Sequence, residues 1–342
     1  MLKKHLLFLS FSLLYFNITI AQKNKPMPVI DMHLHALNAD DQGPPPLKVG
    51  SPFDQFGAND PHNNYGETFM EASKTGKWAK HNSTSPTTDD SLRKQTLRAL
   101  KENNVFAITS GDVAVVRNWH KEDPTRIMNA IYWDFSSVKN RGLNIDSLKC
   151  LFKSNEFKVF GEVAIQYEGY SPSDSSFEPY LKMAEELDIP VGIHVGPGPP
   201  GVIYLGSSNY RASLHSAFVL EEALVKHPRL RVYAMHAGWP LIDDMIATLY
   251  AHPQLYVDLG IIGYAVPEKE YYNYLERIVN AGFLNRIMFG SDNMVWPGTI
   301  KVAIDRINKA KFLSPAQKRD ILFNNAARFL RLTETEIKKM YQ

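Results

Sequence analysis

Eight short apolar segments set the strongest constraint on how this 342-residue chain can fold. Helical patterns separate several of them, and strands that alternate with helices predict parallel βαβ units, because parallel strands need a crossover connection. Eight such strands suit a (β/α)8 barrel, which typically needs about 250 residues. The predicted strands are residues 28–35, 104–111, 126–133, 158–166, 190–196, 230–238, 254–260 and 286–292, and the predicted helices are 91–104, 178–188, 213–228, 240–253 and 270–282.

The alternative for this pattern is an open, doubly wound sheet. A nucleotide-binding version of that fold carries a glycine-rich phosphate loop after its first strand, and none follows residues 28–35. We therefore predict an α/β protein with a (β/α)8 TIM barrel that forms a single domain over residues 22–342.

Residues 36–91 are too long for an ordinary connection between a strand and a helix. The segment is rich in Pro, Gly, Asn, Asp and Ser, and loops beyond about 15 residues are usually functional lids or disordered. It leaves the carboxyl end of the first strand, where barrel active sites lie. We predict a lid insertion at 36–91, with a mobile surface loop as the alternative.

Residues 1–21 have the layout of a secretory signal peptide, with a basic start, an apolar core and Ala21 at the end. The alternative is an N-terminal membrane anchor, for which the apolar core is short. We expect export to the periplasm or the medium, with no stable membrane insertion after cleavage. Cleavage would remove Lys3 and Lys4, leaving no basic excess for nucleic-acid binding. The single cysteine, Cys150, precludes an intramolecular disulfide.

Two histidines in the first predicted strand indicate a site inside the barrel. His33 and His35 are two residues apart, so they project to one side of the strand, and the same rule places Asp31 one step deeper on that side. Buried imidazoles need hydrogen-bond partners or a metal. The pair therefore predicts partners on other strands.

Four further polar residues interrupt apolar runs near the carboxyl ends of predicted strands. They are Glu162, His194, His236 and Asp292. Parallel strands bring such residues into one ring, and imidazoles with carboxylates suit zinc or another divalent metal such as manganese. The alternative is a set of separate core or capping residues.

The segments DMHLH, GIHVG, YAMHAGWP and MFGSDNM resemble the amidohydrolase superfamily, in particular the amidohydrolase-related branch that includes aminocarboxymuconate-semialdehyde decarboxylase. The resemblance implies that His33, His35, His194 and Asp292 bind the metal. It implies that His236 binds a second metal or holds water and substrate. Many relatives have a carbamylated lysine where this chain has Glu162. The Glu162 carboxylate would either bridge two ions or orient an imidazole. The number of ions, one or two, is therefore open.

Hydrolysis of an ester, lactone or amide of a small substrate is the reaction that we expect. In it, a metal-activated water attacks the carbonyl, Asp292 acts as general base and then acid, and His236 helps to polarise the carbonyl. Metal-assisted decarboxylation of an unsaturated acid is the alternative reaction. A barrel that binds a ligand without catalysis is the alternative from outside the enzymes. The nucleophile-elbow pattern of serine hydrolases is absent.

Loops after the strands should contact the substrate. Arg211 is a candidate clamp for a substrate carboxylate, with a solvated surface arginine as the alternative. Tyr204 and Trp239 are candidates for the pocket wall, although Trp239 could equally pack on helices. The expected partner is a small-molecule substrate, and a homo-oligomer is left open.

Overall fold

The computed structural model describes residues 26–136 and 142–342, and its centre is an eight-stranded parallel sheet. The strands follow one another around the sheet in chain order, and a parallel bridge between Leu34 and Asn293 brings the first strand beside the segment that follows the last. The predicted (β/α)8 barrel is confirmed. Its strands are β1 (Val29–Ala36), β4 (Val105–Gly111), β5 (Ile127–Trp133), β6 (Val159–Val163), β7 (Val191–His194), β8 (Val232–Met235), β9 (Leu255–Asp258) and β10 (Ile287–Met288), numbered with two insertion strands described below.

Helices on the outside of the barrel connect these strands. Thr88 caps α2 by accepting a hydrogen bond from Ser91 N, so the helix begins at Asp89 and not at the predicted Ser91. The helices are α2 (Asp89–Glu102), α3 (Val113–Glu122), α4 (Ile145–Lys153), α5 (Glu178–Glu186), α6 (Glu221–Lys226), α7 (Ile242–Ala251), α8 (Glu268–Asn280), α9 (Gly298–Lys309), α10 (Pro315–Arg319), α11 (Asn325–Phe329) and α12 (Glu334–Tyr341).

The single helix predicted over residues 213–228 is wrong. Two 3-10 turns, Ala212–His215 and Ala217–Leu220, precede α6 in this region. Ser216 separates the turns in an extended conformation, with φ −65° and ψ 131°, and its hydroxyl accepts a hydrogen bond from Phe218 N. Serine favours such local bonds over helix continuation.

Two hydrophobic clusters fill the structure. The larger one lies between strands and outer helices and includes Trp119, Trp133 and Phe177. In the second, strand residues such as Met32 pack with Phe329 of the C-terminal helices. Each fully buried large side chain contributes about 1.5–3 kcal/mol. These clusters hold the strand ends in fixed positions.

The insertion after β1 has secondary structure of its own. It contains the antiparallel strands β2 (Lys48–Gly50) and β3 (Asn82–Thr84) and the helix α1 (Tyr65–Thr75). Asn64 caps the start of α1, and Gly76 ends it with φ 73°, a conformation that glycine adopts readily. The insertion ends at α2, just before residue 91.

None of the helices within the described ranges is long and apolar enough to cross a bilayer. The predicted signal peptide, residues 1–21, lies outside those ranges.

Candidate metal centre

The two histidines of β1 lie side by side at the carboxyl end of the barrel. Their Nε2 atoms are 3.2 Å apart, and both residues are buried. The strand pairing of β1 with β4 is irregular between Asp31 and Leu34. Asp31, which was predicted one step deeper on the same side, is buried, and its Oδ1 accepts hydrogen bonds from the backbone N–H groups of His33 and Ser291.

Carboxylates from two other strand ends approach this histidine pair. Asp292 Oδ1 lies 3.1 Å from Nε2 of His35 and 3.5 Å from Nε2 of His33. Glu162 Oε2 lies 3.3 Å from His35 Nε2, and Glu162 Oε1 lies 3.2 Å from Nδ1 of His194. The structure thus brings residues from β1, β6 and β7, and from beyond β10, into one buried cluster.

His236 completes the cluster from the segment after β8. Its ring centroid is 4.4 Å from that of His194 and 5.1 Å from that of His33. His236 Nδ1 lies 3.0 Å from the carbonyl oxygen of Gly260. Because a carbonyl only accepts, this contact assigns the proton of neutral His236 to Nδ1 and leaves a lone pair on Nε2.

His236 and Asp292 do not lie in strands, although the predicted strands 230–238 and 286–292 included them. β8 ends at Met235 and β10 at Met288. Both site residues adopt left-handed conformations, with φ 60° for His236 and φ 49° for Asp292. Such conformations are uncommon outside glycine and cluster at functional sites. They turn the two side chains away from the direction that an extended strand would give.

Asp258, the last residue of β9, is a site residue that the sequence reasoning missed. Its Oδ2 lies 3.2 Å from Nδ1 of His33, and both side chains are fully buried. Its Oδ1 accepts hydrogen bonds from the backbone N–H groups of His236 and Gly260. The available signal was the same as for Glu162: a carboxylate that closes an apolar strand.

The carboxylates give the cluster a strong preference for positive charge. Burial by itself lowers the pKa of His33, but Asp292 and Asp258 raise that pKa well above its ordinary value. Burial raises the pKa of Glu162, but His194 and the β1 histidines hold it well below its ordinary value. His194 behaves oppositely, since burial lowers its pKa well below the usual range. A cation in the cluster would satisfy these carboxylates.

Two candidate ligand atoms also lack a hydrogen-bond partner among the residues that the structure describes. They are the buried Nε2 atoms of His194 and His236. A buried unsatisfied polar group costs about 1–3 kcal/mol, so each needs a ligand. Two overlapping groups have ligand atoms within 4.8 Å of one another and could hold an ion: His33, Glu162 and His236, and His33, His35 and Asp292. This set of nitrogen and oxygen donors fits a divalent transition metal.

A cavity of about 1380 Å³ opens above the cluster and reaches the insertion. His35, Glu162, His194 and Asp292 lie in its wall. The cluster is therefore accessible to a ligand larger than water.

The three residues predicted to bind substrate also line this cavity, but Arg211 and Trp239 donate hydrogen bonds to other residues of the chain. Arg211 Nη1 donates to the carbonyl oxygens of Ser208 and Tyr210, and Trp239 Nε1 donates to Glu270. Tyr204 is 72% exposed. Their positions suit a role at the rim of the cavity.

His215 is a second residue that the sequence reasoning passed over. It lines the cavity and is only 9% exposed. Its Nε2 has no hydrogen-bond partner within the described ranges, and its ring contacts the edge of Tyr210 at 5.3 Å. Tyr210 stacks on Tyr167, which contacts His194. No motif in the sequence marks His215.

The comparison with family models decides where this arrangement belongs. The model described as amidohydrolase matches residues 30–332, which include every residue of the cluster. The chain belongs to the amidohydrolase family. The resemblance carried by the histidine and aspartate segments is confirmed. A search of curated proteins found no match.

Solved structures with this fold include other proteins of similar length. An uncharacterized TIM-barrel protein from Bordetella bronchiseptica is 15% identical, with a TM-score of 0.57, over 91% of this chain and 100% of that one. A probable 2-pyrone-4,6-dicarboxylic acid hydrolase from Acinetobacter baumannii is 13% identical, with a TM-score of 0.55, over 90% and 100%. A dihydroxybenzoic acid decarboxylase from a Polaromonas species, with bound manganese, is 13% identical, with a TM-score of 0.53, over 91% and 99%. At these identities the likeness shows the shared fold.

Proposed function

We propose that this amidohydrolase-family chain is a divalent-metal-dependent hydrolase that cleaves an ester, lactone or amide of a small substrate. His33, His35, His194 and Asp292 would hold the ion, with Glu162 as a further ligand. The observation that carries the proposal is the buried cluster, in which these side chains converge while the Nε2 atoms of His194 and His236 have no hydrogen-bond partner in the described chain. A bound divalent ion acts as a Lewis acid on a carbonyl and lowers the pKa of water towards about 7.

Asp292 is the residue best placed to move a proton. Its side chain lies in the cavity wall, and its Oδ2 faces His236 Nδ1 at 3.8 Å. The proposed roles are to accept a proton from the attacking water and then to pass that proton to the leaving group. The left-handed backbone of Asp292 and the hydrogen bond from its N–H to His33 O hold the carboxylate at this point.

Neutral His236 would act through its lone pair. Because Nδ1 faces the Gly260 carbonyl, Nε2 can bind the ion or accept a hydrogen bond from water. Polarisation of a carbonyl, the role expected from the sequence, needs a proton on Nε2 and hence a cationic ring. We therefore propose that His236 orients water, and that it donates to substrate oxygen only when protonated.

Decarboxylation of an unsaturated carboxylic acid is the second candidate, since neighbours with this fold include decarboxylases. The position of Glu162 favours hydrolysis. Its two oxygens approach different histidines, His35 and His194, as a carboxylate that bridges two ions would. Zinc and manganese both suit the donor set. We propose that the metal is zinc and that the chain binds at least one ion.

The test is an assay of purified protein that is stripped with a chelator and reloaded with zinc or manganese. Acid release from panels of esters, lactones and amides reports hydrolysis, and carbon dioxide release from carboxylic acids reports decarboxylation. We expect metal-dependent acid release that His33→Ala/His35→Ala abolishes. Activity that survives both the stripping and the double substitution would overturn the proposal, and metal-dependent carbon dioxide release alone would select the second candidate.

A further inference from the structure

The insertion places a continuous group of aromatic side chains in the cavity. Phe53, Phe56, Phe69 and Trp78 all line it, and we call them the aromatic wall. The ring centroids of Phe53 and Phe56 are 5.2 Å apart, those of Phe53 and Trp78 6.5 Å, and those of Phe69 and Trp78 5.8 Å. These are ordinary distances for aromatic pairs that pack against one another. The wall is thus one surface and not four scattered rings.

The aromatic wall is fixed to the barrel on two sides. Tyr65 of α1 donates a hydrogen bond of 2.6 Å to the carbonyl oxygen of Pro200, in the loop that leaves His194. Gly201 allows this contact, because a Cβ there would lie 2.2 Å from Tyr65 Cε1. On the other side, Phe53 N donates to Ala265 O. These anchors preorganise the wall over the same cavity that contains the metal cluster.

The wall is not a buried core. Phe53, Phe69 and Trp78 are only partly buried, and Phe56 is 45% exposed. Contact between apolar area and water is unfavourable, so a continuous aromatic surface inside a cavity favours an apolar ligand. The cavity, at about 1380 Å³, exceeds the roughly 300–1,000 Å³ of most small-molecule sites. There is room for more than a single ring.

We propose that the aromatic wall is a subsite for a bulky, ring-bearing apolar group of the substrate, of at least bicyclic size. The hydrolysable bond of the same substrate would reach the metal cluster. This inference rests on the proposed hydrolase function for its chemistry, but the binding of the apolar group depends on the wall alone.

Binding of 2-naphthylmethanol, a neutral bicyclic probe, tests the subsite without any catalytic step. Isothermal titration should show saturable binding at least tenfold tighter than that of benzyl alcohol. Phe56→Ala and Phe69→Ala should each weaken it about tenfold. Phe218→Ala is the matched control, because Phe218 is 48% exposed and does not line the cavity. The affinity of this variant for 2-naphthylmethanol should equal that of the parent.

The outcomes separate this proposal from the proposed function. His33→Ala/His35→Ala should keep the affinity for 2-naphthylmethanol even though it loses the metal. No binding to the parent, equal affinity for the two alcohols, or parent-like affinity in Phe56→Ala and Phe69→Ala would overturn the subsite. A chain without the subsite could still be a hydrolase. Conversely, probe binding without any metal-dependent activity would overturn the proposed function but support the subsite.

Discussion

The carboxylate of Asp258 lies 3.2 Å from Nδ1 of His33, while Nε2 of the same ring faces His35 and Asp292. A carboxylate beside Nδ1 favours the proton on that nitrogen and leaves the Nε2 lone pair for a metal. Carboxylates placed in this way fix the orientation of ligating histidines in many metal sites. Asp258 therefore orients the His33 ring, so that its Nε2 faces the other candidate metal ligands.

Asp258→Asn should weaken metal binding by about 10–100-fold, the usual cost of losing such a partner. Asn Oδ1 can still accept from His236 N and Gly260 N, but its amide would donate towards His33 and favour the wrong tautomer. Competition with a chromogenic chelator measures the affinity. Asp243→Asn, on the surface of α7, is the control, because the Asp243 side chain is 81% exposed. Parent-like zinc affinity in Asp258→Asn would remove this role.

His215 should make stability depend on pH. Burial lowers its pKa from 6.5 to about 4. Between these values the unfolded chain binds a proton that the folded protein does not, so the free energy of unfolding falls as the pH drops from 6.5 towards 4. At pH 5 this amounts to about 2 kcal/mol.

Urea unfolding of metal-free parent and His215→Asn, at pH 8 and pH 5, isolates that contribution. Other titrating groups are common to both proteins, so the parent should lose about 2 kcal/mol more than the variant over this range. An equal loss would show that His215 is protonated in the folded protein or exposed to water.

Gly201→Ala should loosen α1. The added Cβ would meet Tyr65 at 2.2 Å, and φ at Gly201 is 69°, so both the contact and the backbone are disfavoured. Gly206→Ala is the matched control, because φ there is 118° but nothing lies within 4 Å of the added atom. Hydrogen exchange of the α1 amides should be roughly tenfold faster in Gly201→Ala than in Gly206→Ala. Equal exchange rates would mean that Tyr65 does not anchor the helix.

Much of the cluster could be predicted because strand periodicity and strand ends are local signals. His33, His35, Glu162 and His194 lie in strands, where two-residue alternation and the common carboxyl-end edge locate them. Asp258 carried the same signal at the end of β9 and could have been found. The caps of α1, Asn64 and Gly76, were likewise readable inside the insertion.

The remaining features depend on long-range packing. The left-handed backbone of His236 and Asp292 is held by bonds to Asp258 and His33, which are distant in sequence. His215 lines the cavity at the end of a 3-10 turn, in a region where the pattern predicted one continuous helix, and the rings of the aromatic wall meet only once the insertion has folded. Propensity and spacing carry no information on such contacts.

Metal content decides whether the buried cluster of histidines and carboxylates is a metal site. Elemental analysis should find at least one equivalent of zinc or manganese in the purified parent, and essentially none in His33→Ala/His35→Ala. His227→Ala serves as the control, since His227 is buried against Glu178 and Glu185 rather than in the cluster, and it should keep the parent's metal. Two equivalents in the parent would make Glu162 a bridging ligand. A parent that holds no metal even after reconstitution, or a double variant that holds as much as the parent, would show that the cluster does not bind a metal.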